Sequence, residues 1–276
     1  MNISNNLFIV IFALLTIILY VNLVYYMIPK TYVSLDRGRR YLISGLMSPF
    51  LVFLVYFILP NWRKPICDDF FLAYLFFSIV QIGFLEEFCK YSIFQWVSAE
   101  RFSRKHDLPV ATMYYSFMTA LGFALTENIS YLITLYQSKA LDPTVTQTQL
   151  NNSMFSMALS RSMTAVVMHM ICGIIIGYFI NLSYEKEKRD KLKITNENNH
   201  NIKILDKIYL FYGIGLAAIF HGIYDLNLIL PDNNYKMLFC ILIIVFGLSI
   251  GYFMITDLIK KSKIQRAHKL NQNESS

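Results

Sequence analysis

Seven long apolar runs divide this chain, at residues 7–27, 41–59, 71–99, 112–136, 154–182, 208–230 and 237–256. Each approaches or exceeds the roughly 20 residues with which a helix crosses a hydrocarbon core. In lipid, backbone N–H and C=O groups must be bonded internally, which confines a chain of this kind to helices or a closed barrel. Unbroken apolar runs without period-two alternation read as helices. The expected fold is therefore all-α: a polytopic integral membrane helix bundle of about seven transmembrane helices. Composition agrees, since 55% hydrophobic residues, 16% charged residues and a mean hydropathy of +0.44 exclude an ordinary soluble domain.

The basic residues alternate between the connections. One set of connections carries four, three, seven and five Lys and Arg, nineteen together; the other carries none, two, one and one, four together. Positive charge concentrates on the cytoplasmic side, so the N-terminus is expected outside and the C-terminus in the cytoplasm. The excess of 25 basic over 18 acidic residues then belongs beside anionic lipid, with the bilayer as partner and no nucleic acid. The first run lacks a basic n-region and a small-residue cleavage site, and reads as a retained span rather than a signal peptide. Residues 1–276 are expected to form a single membrane domain. Within it lie a four-helix core at 71–230, a solvated cytoplasmic loop at 183–207 and a cytoplasmic tail at 258–276. Pro49, inside the second run, is expected to kink it. Cys67, Cys89, Cys172 and Cys240 form no CxxC pair and read as free thiols.

Charge inside the runs is segregated. Runs one, two and seven hold no charged residue or histidine, whereas runs three to six hold Glu86, Glu87, Lys90, Glu127, Arg161, His169, His221 and Asp225. Ionisable groups at membrane depth cost at least a few kcal/mol each, so they mark function and face the protein interior. Counted from the assigned cytoplasmic ends, Glu87, Glu127, His169 and His221 all lie about 18 to 23 Å along their helices, at 1.5 Å per residue. They can share one layer. Spacing pairs Glu86 with Lys90 at i,i+4 and turns Glu87 about 100° away; Asp225, four residues after His221, can orient its imidazole. Asn128 supplies an amide donor for a developing oxyanion. Gly173 and Gly177 let a neighbouring helix approach closely. Cys172 reads as core filling. Arg161, near the outer end of its run, is open between a structural, snorkelling role and a place in the layer. The string Gly247–Gly251 matches GxSxG but lies in an apolar helix without the strand-turn context of a serine nucleophile.

The ordered motifs Glu86-Glu87-x-x-Lys90, Phe123-x-x-x-Glu127-Asn128, His169 with Gly173, and His221-x-x-x-Asp225 resemble the PrsW family of intramembrane proteases, within the superfamily of CAAX-processing and bacteriocin-processing membrane proteases. The resemblance spans roughly residues 71–230. It implies hydrolysis of a peptide bond in a membrane-anchored protein substrate, such as an anti-sigma factor, in a bacterial cytoplasmic membrane. Glu86, Glu87, Glu127, His169 and His221 are then the expected catalytic set, supported by Lys90, Asn128 and Asp225. A carboxylate and two histidines activate water either alone or with zinc, for which Glu127, His169 and His221 are the expected ligands. Two competing readings use the same residues: a CAAX-type prenyl-protein endopeptidase, and a non-catalytic transporter or scaffold.

Overall fold

The computed structural model describes residues 3–59, 71–101, 109–193, 199–230 and 236–274, and among these every regular element is helical. The elements are α1 (Ile3–Met27), α2 (Leu35–Gly45), α3 (Ser48–Ile58), α4 (Phe71–Phe76), a π-helical segment (Phe77–Phe84), α5 (Leu85–Arg101), α6 (Pro109–Ala140), α7 (Gln147–Met163), α8 (Ala165–Lys193), α9 (Asn199–Ile229) and α10 (Lys236–Glu274). Five stretches are long and apolar enough to cross a membrane: Leu35–Ile58, Phe71–Ala99, Gln147–Lys186, Ile208–Ile229 and Met237–Ala267. The two remaining apolar runs lie in α1 and α6.

At the centre stands α6, in which every residue from Pro109 to Leu125 is buried. It touches α1, α2, α3, α5, α7, α8 and α10. Its most extensive neighbour is α8, where Gly173 and Gly177 present bare backbone. A Cβ on Gly177 would stand 2.5 Å from the Met113 Cα. Close approach of this kind is how membrane helices pack without a hydrophobic driving force between them. A second close crossing joins α9 to the π-helical segment, where a Cβ on Gly83 would meet the Ala218 carbonyl oxygen at 2.5 Å and one on Gly222 the Ile79 Cα at 2.5 Å.

Several expected boundaries move. Pro49 does more than kink its run: α2 ends at Gly45 and α3 starts at Ser48. Proline offers no N–H to the Gly45 carbonyl, and the Ser48 hydroxyl donates to it instead at 2.6 Å. The run at 154–182 starts earlier, at Gln147, where Thr146 and Gln149 form a capping box, and it breaks at Thr164. The region 183–207, expected as a mobile loop, is helical on both sides of 194–198, which lie outside the described residues; α8 runs on to Lys193 and α9 begins at Asn199. The tail at 258–276 likewise continues α10 to Glu274. Its first turns are anchored, with Leu258 fully buried, Ser262 Oγ accepting from Val110 N at 3.1 Å, and Lys261 paired with Asp257 at 3.0 Å and Glu185 at 3.5 Å. Cys89, Cys172 and Cys240 are buried thiols outside any disulfide; Cys67 lies outside the described residues. Ser249, of the GxSxG string, is an exposed helical residue donating to the Val245 carbonyl.

Candidate active site

Where the π-helical segment ends, α5 begins with Glu86 and Glu87, so both carboxylates emerge just below the close crossing with α9. Glu87 is completely buried. Its Oε1 accepts from Lys90 Nζ at 2.7 Å and lies 2.8 Å from His221 Nδ1. Expected pairing is thereby reversed: Lys90 holds Glu87, and its distance to Glu86 Oε2 is 3.8 Å. The i+3 and i+4 positions are both within a lysine's reach on a helix. His221, arriving from α9, decides between them by closing on Glu87 from the other side.

Glu86 is the less engaged carboxylate. Its Oε2 lies 3.6 Å from His221 Nε2, is buried, and makes no hydrogen bond; Glu87 Oε2 is also without one. Asp225, expected to orient His221, stands 3.4 Å from Nε2, whereas the short bond that fixes the ring comes from Glu87 on Nδ1. A buried carboxylate bonded to Nδ1 sets the tautomer and leaves Nε2 facing Glu86 and Asp225.

The second half of the site comes from α6, α7 and α8. His169 Nδ1 accepts from Lys90 Nζ at 2.8 Å, and its Nε2 donates to Glu127 Oε2 at 2.7 Å. The two imidazoles meet edge to face with centroids 4.9 Å apart. Phe123 floors the cluster, its ring 4.0 Å from Lys90 Nζ and 5.1 Å from the His169 ring. A cation over a desolvated aromatic face gains about 2 kcal/mol or more, which helps hold an ammonium at this depth. Arg161 does not snorkel. It is buried, with Nη2 2.9 Å from Glu127 Oε2 and Nε donating to Asn128 Oδ1 at 2.8 Å. Asn128, expected as an oxyanion donor, thus has its carbonyl end fixed by Arg161.

All five residues of the expected catalytic set therefore meet in one buried cluster, and Lys90, Asn128 and Asp225 border it. Sequence reasoning left Arg161 open between a structural role and a place in the layer, and missed Tyr131, stacked beneath its guanidinium at 3.7 Å, and the place of Cys172. The polar string Ser160-Arg161-Ser162 near the start of an apolar run was the available signal for Arg161. Cys172 is in the wall of the site, forming with Glu87 and His221 a group whose ligand atoms lie within 4.8 Å of one another.

A divalent metal fits these residues, although with a different carboxylate from the one expected. Glu86, His169 and His221 offer ligand atoms within 4.8 Å of one another, and Glu127 is instead taken up by His169 and Arg161. Two nitrogens and an oxygen suit tetrahedral zinc with an open position. The orphaned Glu86 Oε2 is an available donor. Each histidine also has one nitrogen bonded to a carboxylate, the usual support for a metal-ligating imidazole, and on His169 the metal would take the place of Lys90 at Nδ1.

A multi-pass helical membrane protein whose apolar interior encloses carboxylates, imidazoles and an ammonium drawn from consecutive helices has the constitution of an intramembrane hydrolase. Comparison with known proteins makes this specific. Residues 40–250 match the family described as PrsW family intramembrane metalloprotease, and the chain belongs to that family. Curated relatives include Protease PrsW of Oceanobacillus iheyensis, 28% identical over 189 residues, covering 68% of this chain and 67% of the relative. Another is Protease PrsW of Halalkalibacterium halodurans, 24% identical over 200 residues, covering 71% and 72%. No solved structure matches. The chain is an intramembrane protease, a hydrolase acting on peptide bonds.

Proposed function

We propose that this protease cuts a peptide bond of a membrane-anchored protein, such as an anti-sigma factor, with Glu86 as the proton carrier beside His169 and His221. The observation that carries the reading is the difference between the carboxylates. Glu87 is hydrogen-bonded through Oε1 to Lys90 and His221, and Glu127 Oε2 is paired with His169 and Arg161, whereas Glu86 Oε2 has only the longer contacts to His221 at 3.6 Å and Lys90 at 3.8 Å. A carboxylate without a committed donor, in an apolar enclosure, is suited to accept a proton and return it.

In this mechanism water attacks the scissile carbonyl carbon and gives a proton to Glu86. The carbonyl oxygen becomes an oxyanion, for which the amide of Asn128 and the N–H groups and positive charge of the cluster are the donors. Glu86 then hands its proton to the amide nitrogen as the C–N bond breaks, leaving a carboxylic acid and an amine. Lys90 and His221 keep Glu87 in place, and Glu127 keeps His169 in place. As the alternative to proton transfer by Glu86, the same carboxylate with His169 and His221 would hold a zinc ion, which would supply Lewis-acid polarisation of the carbonyl.

Topology with the N-terminus outside, seven spans and a cytoplasmic C-terminus belongs to the same reading. It is supported by contacts among the segments expected in the cytoplasm. Ser34 N donates to Tyr115 Oη at 3.3 Å, Arg266 Nη1 donates to Thr31 Oγ1 at 2.7 Å, and Lys261 pairs with Glu185. The connections between the first two runs and between the fifth and sixth, and the tail, thus gather with the start of α6 at one end, in what we take to be a bacterial cytoplasmic membrane.

The test compares protein termini in membranes from cells carrying wild-type enzyme, Glu86→Gln, His169→Ala or His221→Ala. New termini should appear with the wild type and vanish with each variant while the protein still accumulates. Normal cleavage by Glu86→Gln would remove it as proton carrier, and normal cleavage by all three would end the proposal. Chelation of the purified enzyme should abolish activity, and zinc should restore it; full activity of protein analysed as metal-free would remove the metal and leave Glu86 acting alone.

A further inference from the structure

Arg161 enters the site from α7, at the opposite end of the His169–Glu127 pair from Lys90. Its three partners lie on one stretch of α6: Glu127 by an ion pair at 2.9 Å, Asn128 by a hydrogen bond at 2.8 Å, and the Tyr131 ring at 3.7 Å. The Glu127 oxygen that faces Arg161 is the same Oε2 that receives His169 Nε2 at 2.7 Å. Neighbouring residues fasten this end of α7. Tyr20 Oη donates to the Ser162 carbonyl at 2.9 Å, and Thr164 Oγ1 lies 2.8 Å from Tyr224 Oη. The guanidinium therefore has a fixed origin and a fixed pair of targets.

We propose that Arg161 is a positioning residue of the protease, acting through Glu127 on His169. By drawing Glu127 Oε2 into line with His169 Nε2 it holds the imidazole with Nε2–H toward α6 and Nδ1 toward Lys90. By taking the Asn128 carbonyl it turns the same amide's N–H₂ away from itself, toward the use assigned to it above. The guanidinium fork can reach two acceptors at set spacing, which a lysine ammonium on a flexible stem does less well. This inference rests on the reading of Glu86, His169 and His221 as the proteolytic centre.

The experiment uses the full-length enzyme purified in detergent and a single-span membrane protein that the wild type cuts, chosen from the terminus comparison above. Because Arg161 acts through another residue rather than touching substrate, Arg161→Gln should lower kcat about 10- to 100-fold, the usual cost of losing a residue that supports an active-site histidine. KM should stay within about twofold. Arg161→Lys should recover part of the loss. Arg161→Gln combined with Glu127→Gln should be no slower than Glu127→Gln alone, since the arginine then has nothing to position. Wild-type kcat in Arg161→Gln, a rise in KM alone, or losses that multiply in the double variant would overturn the inference. Should Arg161→Gln fail to accumulate, the same comparison with Arg161→Lys and Glu127→Gln decides it. His221→Ala serves as the control: if it cleaves normally the reading of the site fails, and if it is inactive while Arg161 variants are normal only the role of Arg161 fails.

Discussion

Lys90 places an ammonium where water does not reach, 3% exposed, and its neighbours explain how it stays there. Glu87 Oε1 at 2.7 Å, His169 Nδ1 at 2.8 Å and the Phe123 ring at 4.0 Å surround it. Removing one partner of such a pair strands the other, at a cost of about 3–5 kcal/mol. Lys90→Met should therefore lower the thermal stability of the detergent-purified protein sharply and abolish cleavage. Lys90→Met with Glu87→Gln, which removes both charges, should regain much of the stability and none of the cleavage. A double variant as unstable as Lys90→Met would show that the ion pair is not what the single change broke. At this scale the sequence was legible wherever an ionisable group stood in an apolar run, because its cost demanded a reason: Glu86, Glu87, Glu127, His169 and His221 were singled out that way, and the fold brings them together. What helix spacing did not disclose was the pairing. Positions i+3 and i+4 lie equally close to Lys90 on α5, and the choice of Glu87 depends on His221, 134 residues away. The metal-fitting carboxylate shifted from Glu127 to Glu86 for a similar reason, since Arg161 and His169 had already engaged Glu127.

Elements bring these residues together through backbone approach, most visibly where α9 crosses the π-helical segment. Gly222 follows His221 directly, and a Cβ there would lie 2.5 Å from the Ile79 Cα and 2.8 Å from its backbone nitrogen. Backbone cannot yield as a side-chain end can, so Gly222→Ala must push the two helices apart and carry His221 away from Glu87. A misplacement of about 1 Å can cost on the order of 100-fold in rate, so cleavage should fall by at least tenfold with helical content unchanged. Gly215 is the control on the same helix, because a Cβ there meets nothing within 4 Å. Gly215→Ala should cleave as the wild type does, and equal activity in both variants would refute the close-crossing argument. Apolar length announced the helices in advance, yet it was silent on their interruptions. The break at Thr164, whose hydroxyl lies 2.8 Å from Tyr224 Oη, and the π turns at Phe77–Phe84, where Gly83 meets α9, coincide with contacts to other helices, and the charged stretch after Leu182 stayed helical to Lys193 although its composition resembled a loop.

On the scale of the whole molecule, two ends are distinguished by polar contacts among the described residues. One end joins Thr31, Ser34, Glu185, Lys261 and Arg266; the other holds the turn after α6, where Asp142 Oδ1 accepts from Thr144 N at 2.9 Å and Lys139 Nζ donates to Ser153 at 2.8 Å. The Thr144 hydroxyl and backbone N–H together hold the Asp142 carboxyl below its ordinary range. Basic residues concentrate at the first end, so the proposed orientation puts that end in the cytoplasm and the turn at Asp142 outside. A membrane-impermeant maleimide tests this directly. In a Cys67→Ser background the other three cysteines are buried and should react little. Asp142→Cys should be labelled in intact cells, and Lys263→Cys, at the exposed start of the tail, only after permeabilisation. The opposite pattern would invert the molecule, and labelling of both from outside would mean an even number of crossings between α6 and the tail. Inversion would put the helix ends from which Glu87, Glu127, His169 and His221 are counted on the outer face, so that the roughly 18 to 23 Å along the helices would run from that side.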